Sequence, residues 1–114
     1  MSCIFCRIAA GEIPADIVAQ TDEALAFRDL SPQAPVHVLV IPRRHITSIA
    51  DVPPEQTAQV IGPVMALAAR VAEQLGLAAG GYRLVANTRV EGGQTVDHLH
   101  VHLLGGRRMT WPPG

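Results

Sequence analysis

Residues 98–102 read His-Leu-His-Val-His and run on into Leu103 and Leu104. Alternation of a polar ring with an apolar side chain has period two, which suits a strand with one polar and one apolar face. The run predicts a strand carrying His98, His100 and His102 on one face, roughly 6.6 Å apart at a rise of about 3.3 Å per residue. His37 and His45 complete the five histidines. Imidazole is a nucleophile, a general acid or base, and a metal ligand near neutral pH. Three in register point to chemistry on an extended anionic group or to a metal site. Both readings stay open on the residues alone, because His-x-His can share an ion with a third ligand.

The chain of 114 residues is 48% hydrophobic, enough for one ordinary core and one domain over 1–114. A net charge of −1 argues against a nucleic-acid binder that works by bulk positive charge. No apolar stretch approaches the roughly 20 residues that cross a bilayer, and Met1-Ser2-Cys3-Ile4 does not open like a secretory signal. The expectation is a soluble, cytoplasmic protein.

Cys3 and Cys6 form a C-x-x-C. In a cytoplasmic protein a structural disulfide is disfavoured, and a redox C-x-x-C follows a strand, which is not read ahead of Cys3. Half of a tetrahedral metal site is the better reading, and it needs two further ligands.

Cys3 to Ala10 reads as a short helix stopped by Gly11. Residues 17–19 and 24–27 read as two strands joined at Thr21-Asp22-Glu23. Val36 to Ile41, β-branched and bounded by Pro42, reads as a central strand. The Asp51-Val52-Pro53-Pro54-Glu55 segment looks like a helix start, and Val60, Val64, Leu67, Val71 and Leu75 recur at helical spacing as far as Gly76. Pro63 should kink this helix or split it. Tyr82 to Asn87 alternates as a strand, and Glu91-Gly92-Gly93 is a turn ahead of the histidine strand. The sum is an α+β fold: a five-stranded, mainly antiparallel sheet with one long and one short helix. Gly92-Gly93-Gln94-Thr95 can offer backbone N–H groups and a hydroxyl to an anion, although adjacent glycines also serve plain hairpin turns.

Gln94 to Leu104 resembles the motif that names the histidine triad (HIT) family. The resemblance spans nearly the whole chain. Ile4–Ile8 with Glu12-Ile13-Pro14, Phe27–Pro35, His37–Pro42, His45-Ile46 and the ending Gly105–Gly114 are all similar to its Hint branch. The resemblance implies a HIT-like homodimer whose sheet continues across the two subunits. It also implies a purine nucleotide-binding hydrolase that cleaves the P–N bond of AMP or GMP joined to an amine. Membranes and nucleic acids are not expected partners.

Under that resemblance His100 corresponds to the nucleophile that forms a covalent nucleotidyl-imidazole, and the carbonyl of His98 holds its ring proton. His102 contacts the phosphate and helps protonate the leaving amine, and His37 joins the cluster. Asp29 accepts the ribose hydroxyls. Phe5, Ile8, Phe27 and Leu30 enclose the base, while Asn87, Gly93, Gln94 and Thr95 hold the phosphate or leaving group. Trp111 reaches toward the partner's site on a tail that crosses the dimer. Thr95 stands where many relatives have Ser, which keeps the hydroxyl; Arg28 and Asp97 also differ from close relatives. Relatives opening with Cys-x-x-Cys hold a structural zinc, and the corresponding residues are Cys3, Cys6, His45 and His98, a complete tetrahedral set.

Three other readings compete. One is a dinucleoside polyphosphate hydrolase of the same family, which the Trp-Pro-Pro-Gly ending disfavours. Another is a metal-dependent hydrolase whose triad grips a catalytic ion. The third is a nucleotide-binding interaction module with incidental turnover.

Overall fold

The computed structural model describes residues 3–114; Met1 and Ser2, part of the opening read above as unlike a secretory signal, lie outside the described residues. One sheet has the order β1-β2-β3-β5-β4, with β1 Ile17–Gln20, β2 Ala24–Arg28, β3 Val36–Pro42, β4 Tyr82–Val85 and β5 Val101–Gly105. All neighbouring strands are antiparallel. The helices are α1 Ile4–Ala9, α2 Thr57–Gln74 and the single turn α3 Arg89–Gly92. No helix of the described residues is long and apolar enough to cross a membrane.

Strand alternation divides the core. Ala24 and Ala26 of β2, Val38 and Val40 of β3, and Val101 and Leu103 of β5 face α2, which buries Val64, Leu67, Ala68, Val71 and Ala72 against them. Burial of each large aliphatic side chain there contributes roughly 1.5–3 kcal/mol. The opposite residues of β2 and β3, Leu25, Phe27, Leu39 and Ile41, pack with Phe5 and Ile8 of α1. A strand covered on both faces must be apolar throughout, which explains the near-continuous run in β3.

Four details differ from the sequence reading. The histidine strand begins only at Val101, so His98 and His100 precede the ladder. Pro42 has no N–H to offer there, and the local backbone bonds elsewhere, with Leu99 N–H donating to the Ile46 carbonyl at 2.7 Å. Strand β4 likewise stops at Val85, its last partner being His102, so Asn87 lies beyond it. The turn expected at residues 91–93 is α3, closed by Gly93 at φ +79°. Finally, α2 starts at Thr57 rather than near Asp51. Two 3-10 turns, Ile49–Asp51 and Pro54–Gln56, precede it, because Pro53 holds Val52 extended and the two prolines supply no donors.

Pro63 does not split α2, which runs unbroken from Thr57 to Gln74. The proline deprives only the Gln59 carbonyl, and Gln59 is exposed, so water can take the lost bond.

Gly105 ends β5 where a Cβ would meet the Leu77 methyl carbons at 2.6 and 2.8 Å. Leu77 is buried in the α2 core, so it has little room to move away. Gly105→Ala should therefore cost about 1–3 kcal/mol through overpacking. Urea denaturation read by tryptophan-independent far-UV signal checks this, and an unchanged midpoint would contradict it.

Candidate functional site

The α1 side of the sheet carries the site. In the β3–β5 register His37 pairs with Leu104 and Leu39 with His102, which makes His37 and His102 diagonal neighbours on one face. Their rings meet, with His37 Nε2 2.9 Å from His102 Nδ1. The Asp29 carboxylate lies 3.5 Å from the same His37 nitrogen, and the Gln33 N–H donates to His37 Nδ1 at 3.0 Å. Asp29, His37 and His102 bring ligand-type atoms close together. The 2.9 Å separation of the two ring nitrogens is that of a hydrogen bond.

His100 lies beside this pair, its ring centroid 5.0 Å from that of His102 and 5.2 Å from that of Phe5. Its Nδ1 donates to the His98 carbonyl at 2.7 Å. With that proton fixed on Nδ1, Nε2 carries the lone pair of the neutral ring. Among the described residues every buried side-chain nitrogen and oxygen has a partner, and His100 Nε2 has none in the protein, so it must open onto free space. That space is a cleft of about 240 Å³ lined by both His100 and His102. Its walls combine apolar side chains of α1, Phe27 and Leu39 with the two imidazoles, Asp29 and Thr95.

His98 turns away from this cleft. It is fully buried, and its Nε2 donates to the Pro42 carbonyl at 2.8 Å. Its Nδ1 lies 3.4 Å from Cys3 Sγ, 3.5 Å from Cys6 Sγ and 3.2 Å from His45 Nδ1, while Cys6 Sγ stands 3.3 Å from His45 Nδ1. Ligands on a tetrahedral zinc, at about 2.3 Å for sulfur and about 2.1 Å for nitrogen, are separated by roughly 3.3–3.8 Å. Three of the separations above lie within that range and the His45–His98 one about 0.1 Å below it, and the four residues form a recognisable ligand group. The Pro42 carbonyl fixes the tautomer that leaves His98 Nδ1 free to ligate. With its Nε2 on the Pro42 carbonyl and its Nδ1 beside Cys3, Cys6 and His45, the His98 ring does not converge with those of His100 and His102 on one point.

Of the residues singled out for nucleotide binding, Phe5, Ile8, Phe27, Asp29, Leu30, Thr95, His100 and His102 line the cleft. Asn87, Gly93, Gln94 and Trp111 do not. The Gln94 amide is spent inside the protein: its Nε2 donates to the Thr47 and Val96 carbonyls, and its Oε1 accepts from the Arg89 N–H. The Gly93 N–H closes α3 on the Val90 carbonyl. Trp111 is 80% exposed under the Arg83 guanidinium, 5.9 Å from its ring centroid. Pro14, Ala15, Asp16 and Val96 also line the cleft, as does Ile4. Sequence reasoning missed them because residues 14–16 and Val96 lie in loops that carry no periodic signal, and Ile4 read only as part of the short helix.

Burial pushes His102 down to about 4, helped by His100 and His37 and opposed by Asp29. Burial also lowers His37, against the pull of Asp29, and lowers His98, against the Pro42 carbonyl. Cys6 is raised, first by burial and then by Cys3. Near pH 7 the imidazoles of His37, His98 and His102 are therefore neutral.

The open antiparallel sheet superposes on that of a known hydrolase of similar sequence, which makes the class a hydrolase. The HIT domain family model matches residues 10–109. The chain is 53% identical over 104 residues to the purine nucleoside phosphoramidase of Escherichia coli K12, covering 91% of this chain and 87% of that protein. It is 52% identical to an uncharacterized HIT-like protein of Synechococcus elongatus, covering 97% and 96% of the two chains. A HIT family hydrolase from Legionella pneumophila superposes with a TM-score of 0.95 at 50% identity, over 99% of this chain and 100% of that one. A histidine triad protein from Clostridium difficile gives 0.93 at 40%, over 96% and 95%. The chain belongs to the HIT family.

The depressed His102 sets a pH dependence of folding. Its native ring resists the proton that the unfolded ring accepts near 6.5, so its contribution is complete above that pH and is lost as pH falls through about 4. The full loss is about 3 kcal/mol as an upper bound, and His37 adds to it in the same direction. Urea midpoints should fall between pH 6.5 and 4, and His102→Gln should flatten the slope. A wild-type midpoint that stays level across this window would contradict the neutral cluster.

Proposed function

We propose that this HIT protein is a nucleoside phosphoramidase that hydrolyses the P–N bond of purine nucleoside 5′-phosphoramidates. The observation that carries the reading is the 2.7 Å bond from His100 Nδ1 to the His98 carbonyl, which leaves Nε2 open on the cleft beside His102. Phe5, Ile8, Phe27 and Leu30 take the purine of an AMP or GMP conjugate, Asp29 the ribose hydroxyls, and His102 with Thr95 the phosphate. His100 Nε2 attacks phosphorus in line and forms a P–N bond to the ring. The pair of the breaking P–N bond stays on the departing nitrogen, which takes a proton drawn from solvent with the help of His102 and leaves as the amine. Water then attacks phosphorus, the pair returns to His100, and a proton is released with the nucleotide.

Asn87, Gly93 and Gln94 lie outside the cleft and enter this reading only as supports of the loop that carries Thr95. The dimer belongs to the same proposal. The edge strand β4, with exposed Tyr82, is free to extend the sheet into a second copy, and the Trp111 tail reaches toward that partner.

The Cys3, Cys6, His45 and His98 set is read as a closed structural zinc site. When bound, zinc would tie the start of α1 to the segment before β5 and leave no open position for water. Its thiols must stay reduced, which suits the cytoplasm.

The decisive assay follows AMP release from an adenosine 5′-phosphoramidate of a simple amine. His100→Ala should lose at least about 10³-fold in kcat/KM with its fold intact, and the covalent adduct trapped on wild type should vanish. Equal rates in the two proteins would refute the mechanism. Metal analysis should find close to one zinc per wild-type chain and almost none in Cys3→Ser, a change that keeps a capping side chain on α1.

A further inference from the structure

The loop between β2 and β3 is knitted onto itself. The Asp29 N–H donates to the His37 carbonyl at 3.0 Å, the Ser31 N–H to Asp29 Oδ1 at 2.7 Å, and Gln33 Nε2 to the Ser31 carbonyl at 3.0 Å. A second segment docks on it from the far end of β5. The Arg107 guanidinium donates to the Gln33 carbonyl from Nη2 at 3.0 Å and from Nε at 3.3 Å. Just before it, Gly106 sits at φ +88°, where a Cβ would strike the Pro35 side chain at 2.8 Å. Residue 33 is thus clamped from both sides.

Clamping matters because the Gln33 N–H points at His37 Nδ1. A backbone N–H can only donate, so His37 Nδ1 must be bare and its proton must sit on Nε2. The Asp29 carboxylate at 3.5 Å favours a proton on that same nitrogen. His37 Nε2–H then donates to His102 Nδ1 at 2.9 Å, which leaves the His102 proton on Nε2. The cleft consequently meets a lone pair on His100 Nε2 and a hydrogen on His102 Nε2.

We propose that Arg107 and the Gln33 amide are positioning groups that fix the tautomers of His37 and His102, and so make His102 a hydrogen-bond donor to the reacting phosphate and the leaving nitrogen. Neither group reaches the cleft; both act through His37. The proposal rests on the phosphoramidase reading for what the donor serves, while the proton arrangement stands without it.

Long-range ¹H–¹⁵N correlation on histidine-labelled protein near pH 7 tests the relay, because it separates a protonated ring nitrogen from a bare one. Wild type should show His37 and His102 with bare Nδ1 and protonated Nε2. Arg107→Ala, and more completely Gln33→Pro, which deletes the amide, should give averaged or inverted tautomers at His102. Arg107→Lys should restore part of the wild-type pattern. With the amine conjugate as substrate, Arg107→Ala should lower kcat about tenfold or more with little change in KM. A wild-type spectrum with the His102 proton on Nδ1 would overturn the relay, as would an unaltered pattern in folded Arg107→Ala. If Gln33→Pro does not fold, the wild-type and Arg107 spectra still decide the matter. Should wild type show the stated tautomers yet release no AMP, the phosphoramidase reading fails and the relay stands.

Discussion

Burying an imidazole completely removes its water, and each ring nitrogen then needs a partner or costs on the order of 1–3 kcal/mol. His98 meets that demand with both nitrogens, one on the Pro42 carbonyl and one aimed into the Cys3, Cys6 and His45 cage. Its own carbonyl holds the His100 ring. One residue therefore joins the end of β3, the start of α1 and the orientation of the ring proposed as nucleophile. Phe5, two positions after Cys3, lies edge-on to His98 and His100 and also walls the cleft. Movement at the cysteine cage would be felt on the apolar wall and at the His100 ring together.

Residue size explains why the site lies on the α1 side. Small Ala24 and Ala26 let the 18-residue α2 approach the other face closely, and Val38, Val40, Val101 and Leu103 complete a dry interface there. The short α1 covers only part of its face, so Leu25, Ile41 and Phe5 close the core while the region near His100 and His102 stays open. A helix long enough to cover that face would have filled the cleft.

Much of this was legible in the chain. Period-two patterning located the strands, and the apolar run of residues 36–41 identified β3 as central. The HIT motif pointed to the family, and the C-x-x-C spacing to half of a metal site. Two of the differences share a cause. Proline removes donors without disturbing hydrophobic spacing, so the late starts of α2 and of β5 were invisible to periodicity, whereas the apolar spacing itself ran on through Pro63. The even row of three rings was also too simple. Turning His98 from His100 depends on bonds to Pro42 and Ile46, which lie more than fifty residues away in sequence. Gln94 and Gly93 read as anion holders because an amide and a turn N–H are generic donors, and only tertiary contacts show them already engaged.

The cluster's neutrality has a chemical consequence. A site built from Arg or Lys would grip a nucleotide by charge and would hold the released product as firmly as the substrate. In the proposed reaction neutral His102, kept so by burial and backed by the His37 N–H, offers an oriented N–H dipole instead, which strengthens as negative charge gathers on phosphorus oxygens in the transition state. Differential binding of that kind accelerates a reaction, whereas uniform attraction to an anion does not. It works only if each ring presents the correct nitrogen, since a tautomer flip would turn a donor into a lone pair facing an anion. The protein therefore needs backbone groups that cannot titrate to set those protons, and the His98 carbonyl and the Gln33 amide are groups of that kind.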